Sequence, residues 1–134
     1  MNEKDISLIR ESFSRIAASD IDYACVFYDT LFESTPSAAA LFSDDMESQK
    51  KKLRATIALV VKGLDRFDTL KETVFELGKR HVGYGVHPDD FPDVADALLK
   101  TFYSVLNDFS TKEANAWRKG INTISGVMLE AWKV

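Results

Sequence analysis

Apolar side chains recur every three or four residues along almost the whole chain, and this spacing restricts the fold more than any other feature. In residues 3–18 the apolar positions are Ile6, Ile9, Phe13 and Ile16, which lie on one face of a helix. No stretch alternates apolar and polar residues over the length of a strand. The sequence therefore predicts an all-α protein.

Later segments repeat this helical spacing, and together they predict about seven helices joined by short connections. Thr69 and Glu72 have the spacing of a capping box, as have Ser110 and Glu113, so we expect helices to begin there. The predicted helices after the first cover residues 20–33, a short segment at 36–42, residues 46–66 and 69–82, a segment from Pro88 or Pro92 to about Asn107, and a last helix that follows Ser110.

Composition and charge exclude several classes of protein. The chain has 134 residues, of which 46% are hydrophobic and 28% charged, so we expect a single folded domain over residues 1–134. Its net charge of −4, with both signs interleaved, argues against binding to nucleic acid. The single cysteine, Cys25, cannot form an internal disulfide. No segment reaches the roughly 20 apolar residues needed to cross a membrane. We therefore expect a cytoplasmic protein that does not associate with membranes.

A histidine lies on the apolar face of segment 69–82. Leu70, Val74, Leu77 and His81 follow one another at steps of four, three and four residues, so all of them lie on one stripe. Such a histidine is either a core residue whose ring bonds to a nearby carbonyl, or a ligand to a metal or a cofactor. The residues around it leave both interpretations open.

A cofactor that needs only one protein ligand fits His81 better than a bare metal ion. Zinc and di-iron sites need three or more protein ligands, and no second His, Cys or carboxylate stands three or four residues away on the same face. Haem needs one, because the porphyrin supplies the other four in-plane ligands. Tyr28, among apolar neighbours, and Gln49, on the 46–66 helix, are candidate hydrogen-bond donors to dioxygen on iron. An equal alternative is that Gln49 lies in the first turn of this helix and that its side-chain amide points to water.

Several short motifs, taken together in order and spacing, resemble those of bacterial single-domain haemoglobins. They are FYDTLF at 27–32, Pro36, LF at 41–42, SQKKKL at 48–53, KRHVGYGV at 79–86, DFPDV at 90–94 and AW at 116–117. Along nearly its whole length the chain is similar to Vitreoscilla-type haemoglobins and to the haem domains of flavohaemoglobins. The resemblance implies a globin fold, in which helices pack around a haem. The full first helix favours the three-over-three arrangement of that fold.

The resemblance also implies roles for individual residues, with haem b (iron protoporphyrin IX) as the cofactor. His81 matches the proximal iron ligand, and Tyr28 and Gln49 match the distal residues that face a bound gas. Leu53 matches the aliphatic residue above the iron, and Phe42 the phenylalanine that stacks on the porphyrin. The other matching positions are Leu77, Val86, Phe91 and Val94 in the pocket lining, and Arg80 and Lys52 as partners of the haem propionates.

Two positions depart from the flavohaemoglobin pattern. In that pattern a tyrosine and a glutamate stand beside the proximal histidine and make its imidazole more anionic, which favours O–O activation. Phe91 and Trp132 hold the matching positions here, and neither accepts a proton from an imidazole. We therefore expect His81 to donate to a backbone carbonyl instead. Because the sequence has 134 residues, we also expect no flavin or NAD domain.

These features predict a protein that reversibly binds dioxygen and other diatomic gases such as CO and NO, for oxygen storage or transport. One alternative is a nitric oxide dioxygenase that depends on a separate reductase. Another is a gas-sensing or haem-free regulatory globin. The expected partners are the gases and, for the dioxygenase, the reductase, and we expect the chain to be a monomer or a weak homodimer.

Overall fold

The computed structural model describes residues 1–42 and 45–133, and it confirms the all-α prediction. These residues form six α-helices: α1 (Glu3–Ala18), α2 (Tyr23–Ser34), α3 (Met46–Gly63), α4 (Phe67–Gly83), α5 (Phe91–Val105) and α6 (Thr111–Leu129). Four 3₁₀ helices connect or follow them, at Pro36–Leu41, Leu64–Arg66, Pro88–Asp90 and Glu130–Lys133. No strand occurs in these two ranges. None of their helices combines the length and apolar composition that crossing a membrane requires.

Side-chain caps explain where some of the helices begin. The predicted box at the start of α6 is confirmed, because the Glu113 amide donates to Ser110 Oγ at 3.1 Å and the Ser110 amide donates to Glu113 Oε1 at 2.9 Å. At the start of α3 the Asp45 carboxylate accepts from the Ser48 amide at 3.1 Å. These bonds satisfy amide groups that have no partner within the first turn of a helix.

The predicted capping box at Thr69 and Glu72 is wrong. Helix α4 begins at Phe67, and Arg66, at its N-cap position, makes no side-chain capping bond. A 3₁₀ turn leads directly into α4, and Phe67 packs against buried residues of α4 and α6. The packing of Phe67 therefore sets the start of the helix, and Thr69 is an exposed residue inside it.

The six helices form two layers of three. Helices α1, α3 and α4 are neighbours in one layer, and α2, α5 and α6 are neighbours in the other. Between the layers, α6 packs on both α1 and α4, and α2 packs on α3. This is the three-over-three arrangement that the full first helix predicted.

Buried apolar side chains form three clusters. The central cluster joins α1, α5 and α6 around Phe102 and Trp117. The α2 cluster consists of Phe27, Tyr28, Leu31 and Ala97. The α4 cluster consists of Leu70, Val74 and Met128. The last two clusters are the ones that border the residues predicted to bind a cofactor.

A buried hydrogen bond and an ion pair help to hold α1 against α6. Trp117 Nε1 donates to Ser12 Oγ at 2.8 Å, and both residues are buried. The Arg15 guanidinium binds the Glu113 carboxylate through two hydrogen bonds of 2.9 and 3.2 Å. Hydrogen bonding from Arg15 lowers the pKa of Glu113, so this buried carboxyl group stays ionised.

Candidate cofactor site

His81 lies in the last turn of α4 and is half-buried. Its Nδ1 lies 2.8 Å from the carbonyl oxygen of Leu77. A neutral ring must donate to a carbonyl, so the proton is on Nδ1 and the lone pair is on Nε2. The expected carbonyl partner of His81 is therefore confirmed. Burial lowers the pKa of His81, so the ring is neutral at physiological pH and is competent as a metal ligand.

The chain just after His81 shapes the surroundings of its ring. The Tyr84 ring packs edge-on against the imidazole, with centroids 5.7 Å apart and planes at 61°. Gly85 has φ of +86°, a region that glycine adopts without strain, and the resulting turn brings the Val86 amide 3.2 Å from the carbonyl oxygen of His81. Tyr84 was not among the predicted site residues, although its position three residues after His81, at the end of a helix, was the available signal.

Tyr28 lies in the α2 cluster and is only 5% exposed. Its ring contacts those of Phe27, Phe42 and Phe32 at centroid distances of 5.0, 5.2 and 5.8 Å. Among the residues that the structure describes, its hydroxyl reaches only the backbone oxygen of Gln49, at 3.5 Å, which is long for a hydrogen bond. Burial raises the pKa of Tyr28 to about 12, so the phenol keeps its proton. Tyr28 is therefore a buried hydrogen-bond donor whose present hydrogen bond is weak.

Other residues predicted for the same side border Tyr28. Phe42 and Leu53 are half-buried and pack at the edge of the α2 cluster. Gln49 is half-buried one turn before Leu53 on α3, and its side-chain amide makes no hydrogen bond to the residues that the structure describes. The structure thus brings together Tyr28, Phe42, Leu53 and the backbone of Gln49, and the role of the Gln49 amide stays a prediction.

The remaining apolar residues divide between two clusters. Leu77 and Phe91 pack at the edge of the α4 cluster, whereas Val94 packs at the edge of the α2 cluster. The Phe91 ring meets that of Trp132 edge-on, with centroids 5.4 Å apart and planes at 86°. Val86 is half-buried in the turn after α4. The two positions that depart from the flavohaemoglobin pattern are therefore in contact with each other.

The predicted propionate partners and the second histidine are more exposed than the apolar residues predicted for the pocket. Arg80 and Lys52 are both exposed, and neither forms an ion pair within residues 1–42 and 45–133. His87 is exposed as well, and its Nδ1 accepts from the Asp89 amide at 3.1 Å, which caps the turn Pro88–Asp90. His87 therefore has a structural task, and pairing of Arg80 and Lys52 with propionates stays a prediction.

The available side chains fit a haem better than a bare metal ion. In the part of the chain that the structure describes, no three His, Cys, Asp or Glu side chains come together to bind a metal. Haem requires a single protein ligand, which His81 offers, and a flat apolar slot. The apolar side chains predicted to line that slot are each partly exposed and so have apolar surface to offer: Phe42, Leu53, Leu77, Val86, Phe91 and Val94.

A comparison with known protein families agrees with this geometry. The sequence profile described as Globin matches residues 26–128, which is most of the chain. This chain belongs to the globin family. The two-layered helical fold is thus that of a globin.

Individual relatives of this globin come from diverse organisms. It is 26% identical to neuroglobin from Danio rerio, over 98% of this chain and 92% of the relative. It is 29% identical to a flavohemoprotein from Xylella fastidiosa over 84% of this chain, but the match spans only 29% of that protein's length. A Pseudomonas aeruginosa PAO1 protein described as structurally highly homologous to a human hemoglobin superposes with a TM-score of 0.85. That protein is 25% identical, and the superposition covers 95% of this chain and 97% of the other.

Proposed function

We propose that this globin binds haem b through His81 and reversibly binds dioxygen, for oxygen storage or transport. When bound, haem supplies an iron atom with one open position for a diatomic gas such as dioxygen, CO or NO. The protein must hold the haem, keep the iron-binding imidazole neutral, and place a hydrogen-bond donor beside the gas. We assign the first two tasks to His81 and the third to Tyr28.

The hydrogen bond from His81 to Leu77 is the observation that carries this proposal. At 2.8 Å the carbonyl oxygen accepts the Nδ1 proton without drawing it away, so the ring stays neutral. A carboxylate partner would make the ring more electron-rich, which favours O–O cleavage over reversible binding. Phe91 and Trp132 pack on each other where the flavohaemoglobin pattern has a tyrosine and a glutamate. Neither of them offers such a carboxylate, which supports a carrier.

The buried phenol of Tyr28 supports retention of the gas. Bound dioxygen carries partial negative charge, so a donor beside it contributes about 1–3 kcal/mol when the contact excludes water. Because the contact of the Tyr28 hydroxyl with the Gln49 backbone is long, at 3.5 Å, the hydroxyl loses little by turning to the gas. We propose the half-buried Gln49 amide as a second donor.

Conversion of nitric oxide to nitrate, with a separate reductase, is the second candidate function. The 29% identity to a flavohemoprotein favours it, although that relative is much longer than this chain. A dioxygenase turns over many equivalents of nitric oxide when a reductase is supplied, whereas a carrier reacts slowly after the first. Turnover of nitric oxide with a flavin reductase and NADH, measured as nitrate formed per haem, separates the two functions. Sustained fast turnover would contradict the carrier.

The direct test of the carrier is the substitution Tyr28→Phe. We expect it to raise the dissociation rate of dioxygen at least about tenfold, which corresponds to about 1.4 kcal/mol. Tyr23→Phe is a matched control, because Tyr23 is also on α2, is 6% exposed and places its hydroxyl 3.5 Å from a backbone oxygen, that of Arg54. Tyr23 packs in the central cluster, so we expect no change in the rate.

Stopped-flow displacement of dioxygen by CO measures the dissociation rate of dioxygen in both variants. An unchanged rate in Tyr28→Phe would mean that its phenol does not contact the gas. An equal rise in Tyr23→Phe would mean that the effect arises from loosening of α2 and not from a hydrogen bond.

A further inference from the structure

We propose that the exposed side of α3 is a docking face for an acidic one-electron carrier protein of the ferredoxin class. Such a partner would return oxidised haem iron to the ferrous state. One electron moves from the partner's reduced iron–sulfur cluster to Fe(III), and no bond forms or breaks. The inference rests on the proposed function, because the binding of dioxygen requires ferrous iron.

Helix α3 is a cationic element in an acidic protein. Its 18 residues include five lysine and arginine side chains and one glutamate, which gives the helix a net charge of +4. The whole chain has a net charge of −4, so the rest of the sequence carries −8. A local potential of the opposite sign steers an anionic partner toward this helix.

One stripe along α3 is exposed over most of the length of the helix. Lys51, Ala55, Ala58, Leu59 and Lys62 recur at the spacing of one helix face, and each of them is exposed. Leu59 is 50% exposed. We call these five residues the α3 outer face. Its apolar centre lies between two cations, so a partner can exclude water at the centre while charges at both ends orient it.

The two lysines of the α3 outer face are not neutralised by the described part of the chain. Lys51 and Lys62 form no ion pair within residues 1–42 and 45–133. Arg54, on another side of α3, differs from them because it binds the Asp22 carboxylate at 2.9 Å. The charges of Lys51 and Lys62 are therefore available to carboxylates of a partner.

The inner side of α3 holds two residues predicted for the gas pocket, Gln49 and Leu53. Leu53 packs at the edge of the α2 cluster, which contains Tyr28. A helix with its side chains is about 10–12 Å in diameter, so about that distance separates the α3 outer face from the proposed pocket. Electron transfer through protein slows steeply with distance, and a donor on this face would lie within one helix of the pocket.

A small acidic protein fits the α3 outer face better than an extended anionic surface. A membrane or a nucleic acid covers a wide area and would also meet the negative charge of the rest of the chain. Leu59 is the one large apolar side chain of this face, so the face offers little surface to lipid chains. Electron-transfer complexes bury small interfaces and depend on charge for their encounter.

The test measures binding of the haem-loaded, CO-bound protein to an oxidised plant-type ferredoxin by calorimetry, so that no electron is transferred. Two double variants change the net charge equally: Lys51→Glu/Lys62→Glu on the α3 outer face, and Lys100→Glu/Lys112→Glu on α5 and α6 as the matched control. Both control lysines are exposed. Lys52 is left unchanged, because it is a predicted propionate partner.

We expect Lys51→Glu/Lys62→Glu to weaken binding at least about tenfold more than the control variant does, because only the former reverses the charges that the partner contacts. Leu59→Ser should weaken binding and leave its dependence on salt unchanged, whereas binding of the unchanged chain should decrease as salt is added. Backbone amide shifts in nuclear magnetic resonance should change on α3 and not on α5 when ferredoxin is added.

No binding of ferredoxin by the unchanged chain, or equal weakening by the two double variants, would overturn the inference. Sedimentation with phosphatidylserine vesicles in place of ferredoxin binding would assign the face to lipid. A dimer that only Lys51→Glu/Lys62→Glu loses would assign it to a second copy, and either result would reject a ferredoxin-class partner. A normal Soret band in these samples would leave the proposed function intact, whereas its absence would contradict both.

Discussion

Two histidines of this chain have different hydrogen bonds, and these give them different tasks. His81 donates from Nδ1 to the Leu77 carbonyl and keeps the Nε2 lone pair available. His87 uses its Nδ1 to accept from the Asp89 amide, and its backbone amide donates to the Asp90 carboxylate at 2.9 Å. Of the two, only His81 combines partial burial with a ring nitrogen whose lone pair is available to a ligand.

Replacing each histidine in turn tests this distinction. We expect His81→Ala to abolish or strongly weaken retention of haem, because His81 is the side chain that we propose as the iron ligand. We expect His87→Ala to retain haem, because His87 only caps a turn, at a cost of about 1 kcal/mol in unfolding free energy. Haem retention after gel filtration and urea unfolding measure the two effects. Loss of haem from His87→Ala alone would show that the assignment of the ligand is wrong.

At the scale of elements, the crossing of α4 and α6 at Gly78 positions the turn that carries His81. A Cβ added at Gly78 would lie 2.5 Å from the Met128 carbonyl oxygen and 2.8 Å from the Met128 Cα. These are backbone atoms of α6, so they cannot move aside as the end of a flexible side chain would. The missing side chain at Gly78 therefore allows the two helices to approach.

We expect Gly78→Ala to lower the unfolding free energy by about 1–3 kcal/mol, because overpacking outweighs the better helix propensity of alanine. Gly126→Ala is the matched control. Gly126 lies in α6, and a Cβ added there would meet no described atom of another part of the chain within 4 Å. That substitution should be neutral or should stabilise by up to about 1 kcal/mol. Urea unfolding measures both variants. Equal stability of Gly78→Ala and the unchanged chain would mean that the helices do not approach this closely.

The ion pair between α1 and α6 predicts a dependence of stability on pH. The folded pKa of Glu113 is lowered, first by its hydrogen bonds from Arg15, so its contribution is complete above the pKa of an unfolded glutamate, about 4.3. The contribution is lost as the pH falls through the lower, folded pKa. We expect Glu113→Gln to lower the unfolding free energy by about 1–3 kcal/mol at pH 7.

Urea unfolding of both proteins at pH 7 and at successively lower pH tests this expectation. The difference between the unchanged chain and Glu113→Gln should shrink once the pH falls below about 4. Asp96→Asn, which removes an exposed pair with Arg118, should cost at most about 1 kcal/mol. A difference for Glu113→Gln that is independent of pH would mean that packing, and not charge, is responsible.

The sequence was sufficient to predict the helices and the apolar face of each helix. It was not sufficient to predict where two helices pack against each other. Apolar spacing predicted α4 and put His81 on its inner stripe, and Ser110 with Glu113 marked the start of α6. The close approach at Gly78 depends on α6, which is distant in sequence, so local spacing holds no signal for it. The capping pattern at Thr69 failed for the same reason, because the packing of Phe67 decides where α4 begins.

At the scale of the whole molecule, the residues assigned to the haem pocket border two different clusters of the core. Phe42, Leu53 and Val94 extend the α2 cluster, whereas Leu77 and Phe91 extend the α4 cluster. The family resemblance predicted these residues as one set, and the structure shows which cluster each one borders. Their division does not follow the layers, because Phe91 of α5 packs on the α4 cluster and Leu53 of α3 packs on the α2 cluster.

We propose that His81 binds a haem whose other side is open to gases. The visible absorption spectrum of the protein mixed with haemin tests it most directly, recorded when oxidised, when reduced, and after exposure to air and to CO. We predict an intense Soret band that shifts on reduction and shifts again with each gas. The absence of a Soret band, or a band that does not respond to either gas, would contradict the claim.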